Sequence, residues 1–376
     1  MDKNFWYAVS IFVGTMVGVG MFALPYSFYK AGFFVGSLYL GVLFFVLLAL
    51  HLMLGEVVLR TTKRHRFAGY IKLYLGKKMK DVAIFSHISG VFGSLLVYIL
   101  ISGFFLNIIA QSFLSNIQIN QVLFWFVMSV IVLLGVRVIK KFELILMTFL
   151  GALVIIILFS SLGDISSSNF FNVDFKDAFL PYGVIMYALV GISAIPLMRE
   201  FLNGKEIKLK KAIIVGLAIA AILYFTFTFV VVGVSGALTS EDALTGLLQT
   251  LGYKIAFFGA LFGLLAVTTS YIAYAFYLKE TLTIDFDVSE KKALLLILSV
   301  PILALFLIPA DFIELVIFLG AVLGGIDAIF VAVLYKKAKK LGNRKPEYSL
   351  KISKTIFYFM MTLFFVGIFY EIVYNL

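Results

Sequence analysis

The chain has 376 residues, 62% of them hydrophobic and 14% charged, with a mean hydropathy of +1.09 and a formal net charge of +11. A water-facing domain carries about a quarter charged residues, so most of this surface must meet lipid, and a soluble globular protein is excluded. The chain has no cysteine, which excludes disulfides, thiolate metal sites and thiol nucleophiles.

An α-helix needs about 20 apolar residues to cross the hydrocarbon layer. Stretches of that kind predict eleven spans, at 5–29, 33–59, 82–113, 121–138, 142–162, 178–201, 211–236, 254–281, 292–309, 311–335 and 353–373. Only Met1-Asp2-Lys3-Asn4 precedes the first. That run is too long for a signal peptide and lacks a small-residue cleavage site, so it reads as a retained span.

The basic residues alternate with the spans. The connections 2–3, 4–5, 6–7, 8–9 and 10–11 hold 8, 3, 5, 3 and 8 Lys/Arg, and Lys3 brings one side to 28 of 31. The other side holds only Lys30, Lys176 and Lys254. Cytoplasmic loops carry the excess of Lys/Arg, so the N-terminus is expected inside and the C-terminus outside. The positive charge is therefore a topology signal and not a nucleic-acid surface. Membrane lipid is the expected surrounding, and the basic loops fit a prokaryotic cytoplasmic membrane. Two connections carry structure of their own. His65–Lys80 places Phe67, Tyr70, Ile71 and Tyr74 at helical spacing, as an interfacial helix would. Ser235–Tyr253 is Leu-rich and mildly acidic, and fits either an external lid or a plain connector.

Two spans are interrupted near their middles. The first reads Gly14-Thr-Met-Val-Gly18-Val-Gly20-Met-Phe-Ala-Leu-Pro25, the sixth Val190-Gly191-Ile-Ser-Ala-Ile-Pro196. Glycine relaxes the backbone, and proline removes a donor from the next turn. The Gly14/Gly18 spacing alone would also serve close helix packing; Gly20, Pro25 and a second break five spans later favour a functional reading. Five is odd, so a second five-helix unit would enter the membrane inverted. Paired breaks in two inverted halves point to a transporter's midplane binding site. Broken helices expose N–H groups suited to a carboxylate and carbonyls suited to an ammonium group or Na⁺.

Gly14–Pro25 with Lys30-Ala-Gly32, Glu56 through Arg60-Thr61, and Gly191–Pro196 resemble the amino acid/auxin permease family and its bacterial tryptophan/tyrosine permease relatives. The resemblance covers nearly the whole chain. It implies an all-α membrane protein with the LeuT-type fold of the amino acid–polyamine–organocation superfamily. Repeat one would occupy 5–162 and inverted repeat two 178–335, with an added helix at 353–373. By similarity to LeuT-type carriers, a substrate carboxylate meets backbone N–H groups of Gly18, Val19 and Gly20. Its ammonium meets carbonyls near Thr15, Tyr187, Ala188 and Val190, and Ser193 and Tyr98 add hydroxyls; a mid-span tyrosine also suits plain packing.

Na⁺-coupled members of this fold follow a carbonyl of span 8 by Thr/Ser side chains three and four residues later. Ala266, Thr269 and Ser270 match that spacing, with carbonyls of Gly14 and Val17 completing the shell. Oxygen donors suit a hard cation, although buried hydroxyls also bond the preceding turn. H⁺ is the competing coupling ion. Some proton-coupled relatives place a span-5 lysine at the Na⁺ position, and Leu144–Ser160 has none.

Ionisable residues at membrane depth are costly and mark functional hypotheses. Here they are His51, Glu56, His87, Glu143, Glu314 and Asp327. Glu56, His87 and Glu143 lie near the inner boundary, where snorkelling or pairing with loop cations accounts for them. Asp327 is the deepest, a gate or proton-path residue or else a hydrogen-bonded structural acid. No HExxH, prenyl-phosphate or paired-aspartate motif occurs in the spans, so an enzyme is not expected. No organic cofactor is implied. The expected activity is alternating-access transport of a neutral amino acid, coupled to Na⁺ or to H⁺; an amino acid sensor of the same fold is the other reading.

Overall fold

The structure is a computed structural model, and it describes residues 2–110, 116–135, 140–309 and 311–374. The described residues form helices and no strands. α1 (Lys3–Met16) and α2 (Gly20–Ala31) are followed by α3 (Phe33–Leu59), α4 (Phe67–Tyr74), α5 (Gly76–Ala110), α6 (Ile117–Leu133) and α7 (Lys140–Ser161). Then come α8 (Leu180–Leu189), α9 (Ala194–Leu202), α10 (Leu209–Ser235), α11 (Leu244–Leu251) and α12 (Tyr253–Glu280). α13 (Glu290–Leu307), α14 (Phe312–Phe318), α15 (Gly325–Leu341) and α16 (Lys354–Tyr374) close the chain, and a π-helical stretch, Leu319–Gly324, joins α14 to α15.

Seven helical stretches are long and apolar enough to cross a membrane, and the bent pair α1/α2 makes eight. The expected eleven exceeds this, for local reasons. Ile117–Leu133 and the apolar part of α7, Leu144–Phe159, are shorter than a full crossing, and α13 opens on Glu290, Lys291 and Lys292. Apolar side chains cover the outside: Phe45, Phe159, Ile222, Phe306 and Phe369 are each about two-thirds exposed. A water-soluble monomer does not sustain so much exposed apolar surface; the chain is an integral membrane protein.

The two broken pairs sit at the centre. α1 packs on α9 and α10, α2 on α8 and α10, and α5 on α12. The basic connections meet at one end of the bundle. Asp2 binds Lys205 and Lys208, and these lysines, Lys208 first, hold its carboxyl down at about 2. Arg66 joins Glu200 and Glu280 at 2.9 Å each. Arg199 Nη1 donates to the carbonyls of Val58 and Thr61, and Asn343 Oδ1 accepts from Thr62.

Two expectations change here. α4 forms at the expected residues but does not lie in lipid: Phe67, Tyr70 and Ile71 are buried, because α4 packs beneath α5 and α15. Glu56 does not snorkel; it is fully buried. Its Oε1 accepts from Arg60 at 2.8 Å and Ser349 at 3.0 Å, and its Oε2 from the Leu350 amide at 2.6 Å. The linker after α15 folds back under α3 and supplies two of these donors, Ser349 and Leu350. In the outer connection, Asp242 caps α11 through Thr245, and Leu244 and Leu247 are buried where α11 packs on α12 and α10. The Glu143 side chain lies outside the described residues.

Candidate functional site

The first break begins where the α1 ladder fails. Val17 N still reaches Val13 O, but Gly18 N turns back to Met16 O at 2.9 Å, so Gly14 O loses its helical donor. Val17 leaves the helical region, with φ −81° and ψ 76°. Helix resumes at Gly20, bent by 53° from α1. In the second break Val190 is extended, with φ −80° and ψ 106°. The Gly191 amide, with no helical partner, donates to His51 Nε2 at 2.9 Å. His51 Nδ1 lies 2.7 Å from Leu47 O. A carbonyl only accepts and an amide N–H only donates, so this ring is the neutral Nδ1–H tautomer.

The breaks touch through glycine. A Cβ on Gly20 would stand 2.6 Å from the Ala188 Cα, so only a residue without one lets α2 and α8 approach this closely. Tyr224, on α10, joins the breaks from behind: its hydroxyl lies 2.6 Å from Met16 O and 3.0 Å from Ala188 O. Tyr224→Phe is expected to destabilise the protein by about 1 kcal/mol and to lower uptake. Thermal unfolding in detergent beside an uptake assay checks both.

A central cavity lies between the breaks, with a volume of about 70 Å³ counted as space open to the centre of a water molecule. That is room for several waters or a small organic group. Thr15, Val19, Gly20, Tyr98, Tyr187, Val190 and Ser193, all expected at the site, line it. Gly18 stands just behind, 3.0 Å from Ser270 Oγ and 3.7 Å from the Tyr98 ring as measured from an added Cβ. Ala188 does not line the cavity; its Cα faces Gly20 and its carbonyl faces Tyr224. The Thr15 hydroxyl is turned to Ile11 O at 2.7 Å, which leaves its main chain to face the cavity.

Other lining residues were not expected at the site. His87, Gly90, Val91 and Ser94 join the expected Tyr98 in one stripe of α5 facing the cavity. Their spacing of three, one, three and four was visible in the sequence as small and polar positions on one helix face. His87 does not snorkel: it is buried, with Nδ1 2.6 Å from Asp327 Oδ2 and Nε2 2.7 Å from the Tyr277 hydroxyl. Both His87 and Asp327 line the cavity.

A second, much smaller cavity, about 10 Å³, lies among Gly14, Val17, Ala266 and Thr269. Four of the five residues expected at the cation site thus meet at one point. The fifth, Ser270, faces Gly18. Thr269 Oγ1 donates to Ala266 O at 3.0 Å, the ordinary back-bond of a buried threonine, and that leaves its lone pairs free. Leu146 and Met147 of α7 close the far wall, where a lysine would sit in the proton-coupled pattern.

Two discontinuous helices crossing at a central cavity, within an all-α membrane bundle, are the mark of a LeuT-type carrier. Residues 1–373 match the profile of the tryptophan/tyrosine permease family, and the chain belongs to that family. It is a secondary transporter of a small, amino-acid-like solute in the amino acid–polyamine–organocation superfamily. Solved structures share the fold. MhsT, crystallised with L-phenylalanine, is 20% identical with a TM-score of 0.62, covering 99% of this chain and 97% of that one. Mhp1, a nucleobase-cation-symport-1 family transporter in a closed conformation with bromovinylhydantoin bound, is 13% identical with a TM-score of 0.66, covering 87% and 77%. No curated protein matches in sequence.

Proposed function

We propose that the chain is a symporter of a neutral L-amino acid, coupled to Na⁺, built on eleven spans. Repeat one occupies 5–162, the inverted second repeat 178–335 and the added helix 353–373. The N-terminus is cytoplasmic and the C-terminus external, in a prokaryotic cytoplasmic membrane. The observation that carries the reading is that the interruptions of the first and sixth spans open onto one cavity. The Gly18 amide is turned to Met16 O, so the main chain at Val19 and Gly20 offers the donors to a carboxylate, and carbonyls near Thr15, Tyr187 and Val190 offer acceptors to an ammonium group. The family's name and the phenylalanine bound to MhsT favour an aromatic side chain.

Na⁺ is supported by the oxygen set at the second cavity: carbonyls of Gly14, Val17 and Ala266, and the Thr269 hydroxyl. Such hard donors fit a small hard cation. Proton coupling is the second reading, favoured by the His87–Asp327 pair in the central cavity.

Thermal stabilisation by each amino acid, in Na⁺ or in choline, tests the reading. A ligand that binds only the folded state raises its apparent stability with saturation. A shift by a neutral amino acid that grows with Na⁺ is expected. A shift indifferent to Na⁺ moves the coupling to H⁺, and no shift by any amino acid removes the substrate assignment. Thr269→Ala is expected to raise the Na⁺ concentration for half-maximal uptake about tenfold, on the scale of one lost charge-assisted contact. A Na⁺ titration of uptake checks it, and an unchanged midpoint takes Thr269 out of the site.

A further inference from the structure

The cations at the basic end of the bundle fall into two groups. Arg60, Arg66, Lys205, Lys208, Lys279 and Arg344 each pair with a carboxylate. Lys63, Arg64 and Lys72 form no ion pair among the described residues. These three meet instead around an open cavity of about 640 Å³, counted in the same way as the central one. Its other lining residues are His65, Gly69, Leu73, Ile284 and Asp285. Three fixed positive charges thus face a single carboxylate, and the Oδ2 of that carboxylate is shut off from the surface. The His65 ring feels the excess: burial first, then the charges of Lys63 and Lys72, holds it below the usual histidine range.

The depth of this cavity says what meets it. One wall is the π-helical end of α12, Thr281–Asp285, which closes a span of 33 residues beginning at Tyr253. A helix of that length is about 50 Å long, against a hydrocarbon core of about 30 Å, so its last turns stand among lipid headgroups. The other wall is α4, which buries Phe67, Tyr70 and Ile71 and turns Lys72 and Leu73 outward. Leu73 is 51% exposed and Ile284 68% exposed, so the cations share their cavity with bare apolar surface. A soluble anion would satisfy the charges and leave that surface uncovered. A phospholipid of negative charge covers both, and basic pockets beside spanning helices recognise such headgroups.

We propose that this cavity binds an acidic phospholipid of the adjoining leaflet, its phosphate held by Lys63, Arg64 and Lys72 and its chains laid against Leu73 and Ile284. The bound lipid joins the α3–α4 connection to the end of α12. Arg66 joins the same two elements through Glu280 at 2.9 Å, so the lipid steadies a contact the protein already makes. The site is independent of the transported solute and of the coupling ion.

The test is thermal unfolding of the full chain in detergent, titrated with phosphatidylglycerol, phosphatidylcholine or soluble glycerol 1-phosphate. A ligand of the folded state alone raises the midpoint with saturation. Phosphatidylglycerol is expected to raise it, and the other two to leave it nearly unchanged at equal concentration. Each basic side chain near an acidic headgroup is worth about fivefold in binding. The variant Lys63→Gln/Arg64→Gln/Lys72→Gln is therefore expected to need at least about twentyfold more phosphatidylglycerol for half the shift. The control Lys337→Gln/Lys340→Gln/Lys345→Gln removes as many exposed charges that do not line the cavity, and should change the requirement less than about threefold. All six positions are at the surface, so both variants should fold. Equal losses in the two variants overturn the proposal in favour of general attraction to an acidic surface. An equal response to phosphatidylcholine overturns the role of charge, and an equal response to glycerol 1-phosphate makes this a site for a soluble anion. Absence of any shift with phosphatidylglycerol removes the site.

Discussion

Gly18→Leu is expected to abolish uptake while leaving a folded, membrane-inserted protein. The position faces Ser270 and Tyr98, with 3.0 Å from an added Cβ to the Ser270 hydroxyl oxygen. A single methyl there asks a neighbour to yield by a few tenths of an ångström, so Gly18→Ala should keep part of the activity. A leucine fills the space where the unwound main chain would meet a carboxylate. Folding should survive, because Gly18 lies outside both helices, between Met16 and Gly20. Gly20→Ala is the contrasting case. Its new Cβ would meet the Ala188 Cα at 2.6 Å, main chain that cannot step aside, so stability and uptake should fall together. Uptake beside a thermal melt separates the two variants, and near-normal uptake in Gly18→Leu removes the first break from the site.

Glu56→Ala should produce the largest loss of stability, about 3–5 kcal/mol. The carboxylate is fully buried and gathers Arg60, Ser349 and the Leu350 amide. Removing it strands the guanidinium, which is only 18% exposed, and leaves a backbone donor without its acceptor. Glu56→Gln keeps an oxygen for Leu350 and should lose markedly less. The linker under α3 is also tied by the Tyr348 hydroxyl to Leu52 O and by Arg344 to Leu59 O. Proteolysis near 343–350 should therefore accelerate in Glu56→Ala ahead of global unfolding. Equal stability of the alanine and unmutated proteins would show that the buried pair contributes nothing net.

The sequence was most legible where lipid sets the rules. A helix must be long and apolar to cross, and the helices formed within a few residues of their expected bounds. The breaks were readable because glycine and proline act locally, on their own turn. What stayed hidden is tertiary. Nothing in the chain around His51 indicates that its ring receives the Gly191 amide 140 residues away. Tyr224 sits in an apolar run where a packing tyrosine would look the same. Glu56 pairs with the cation Arg60, as one of its two readings had it, but the burial of Glu56 and His87 depends on which helix lies alongside, which the local sequence does not show. That the Tyr224 hydroxyl reaches the Ala188 carbonyl is equally invisible along the span. The number of crossings was less secure than the breaks, because shorter helices such as α6 satisfy the bilayer only in company.

The Tyr224 hydroxyl has two acceptors within reach and a single hydrogen to give. At any instant one of Met16 O and Ala188 O is served and the other is bare, and rotating one C–O bond exchanges them. Met16 ends the half-helix on the basic side of the crossing, and Ala188 belongs to the half-helix on the opposite side. A separation of the two halves would leave the hydrogen with whichever carbonyl stays in reach. The two half-helices thus share one hydrogen from behind the central cavity.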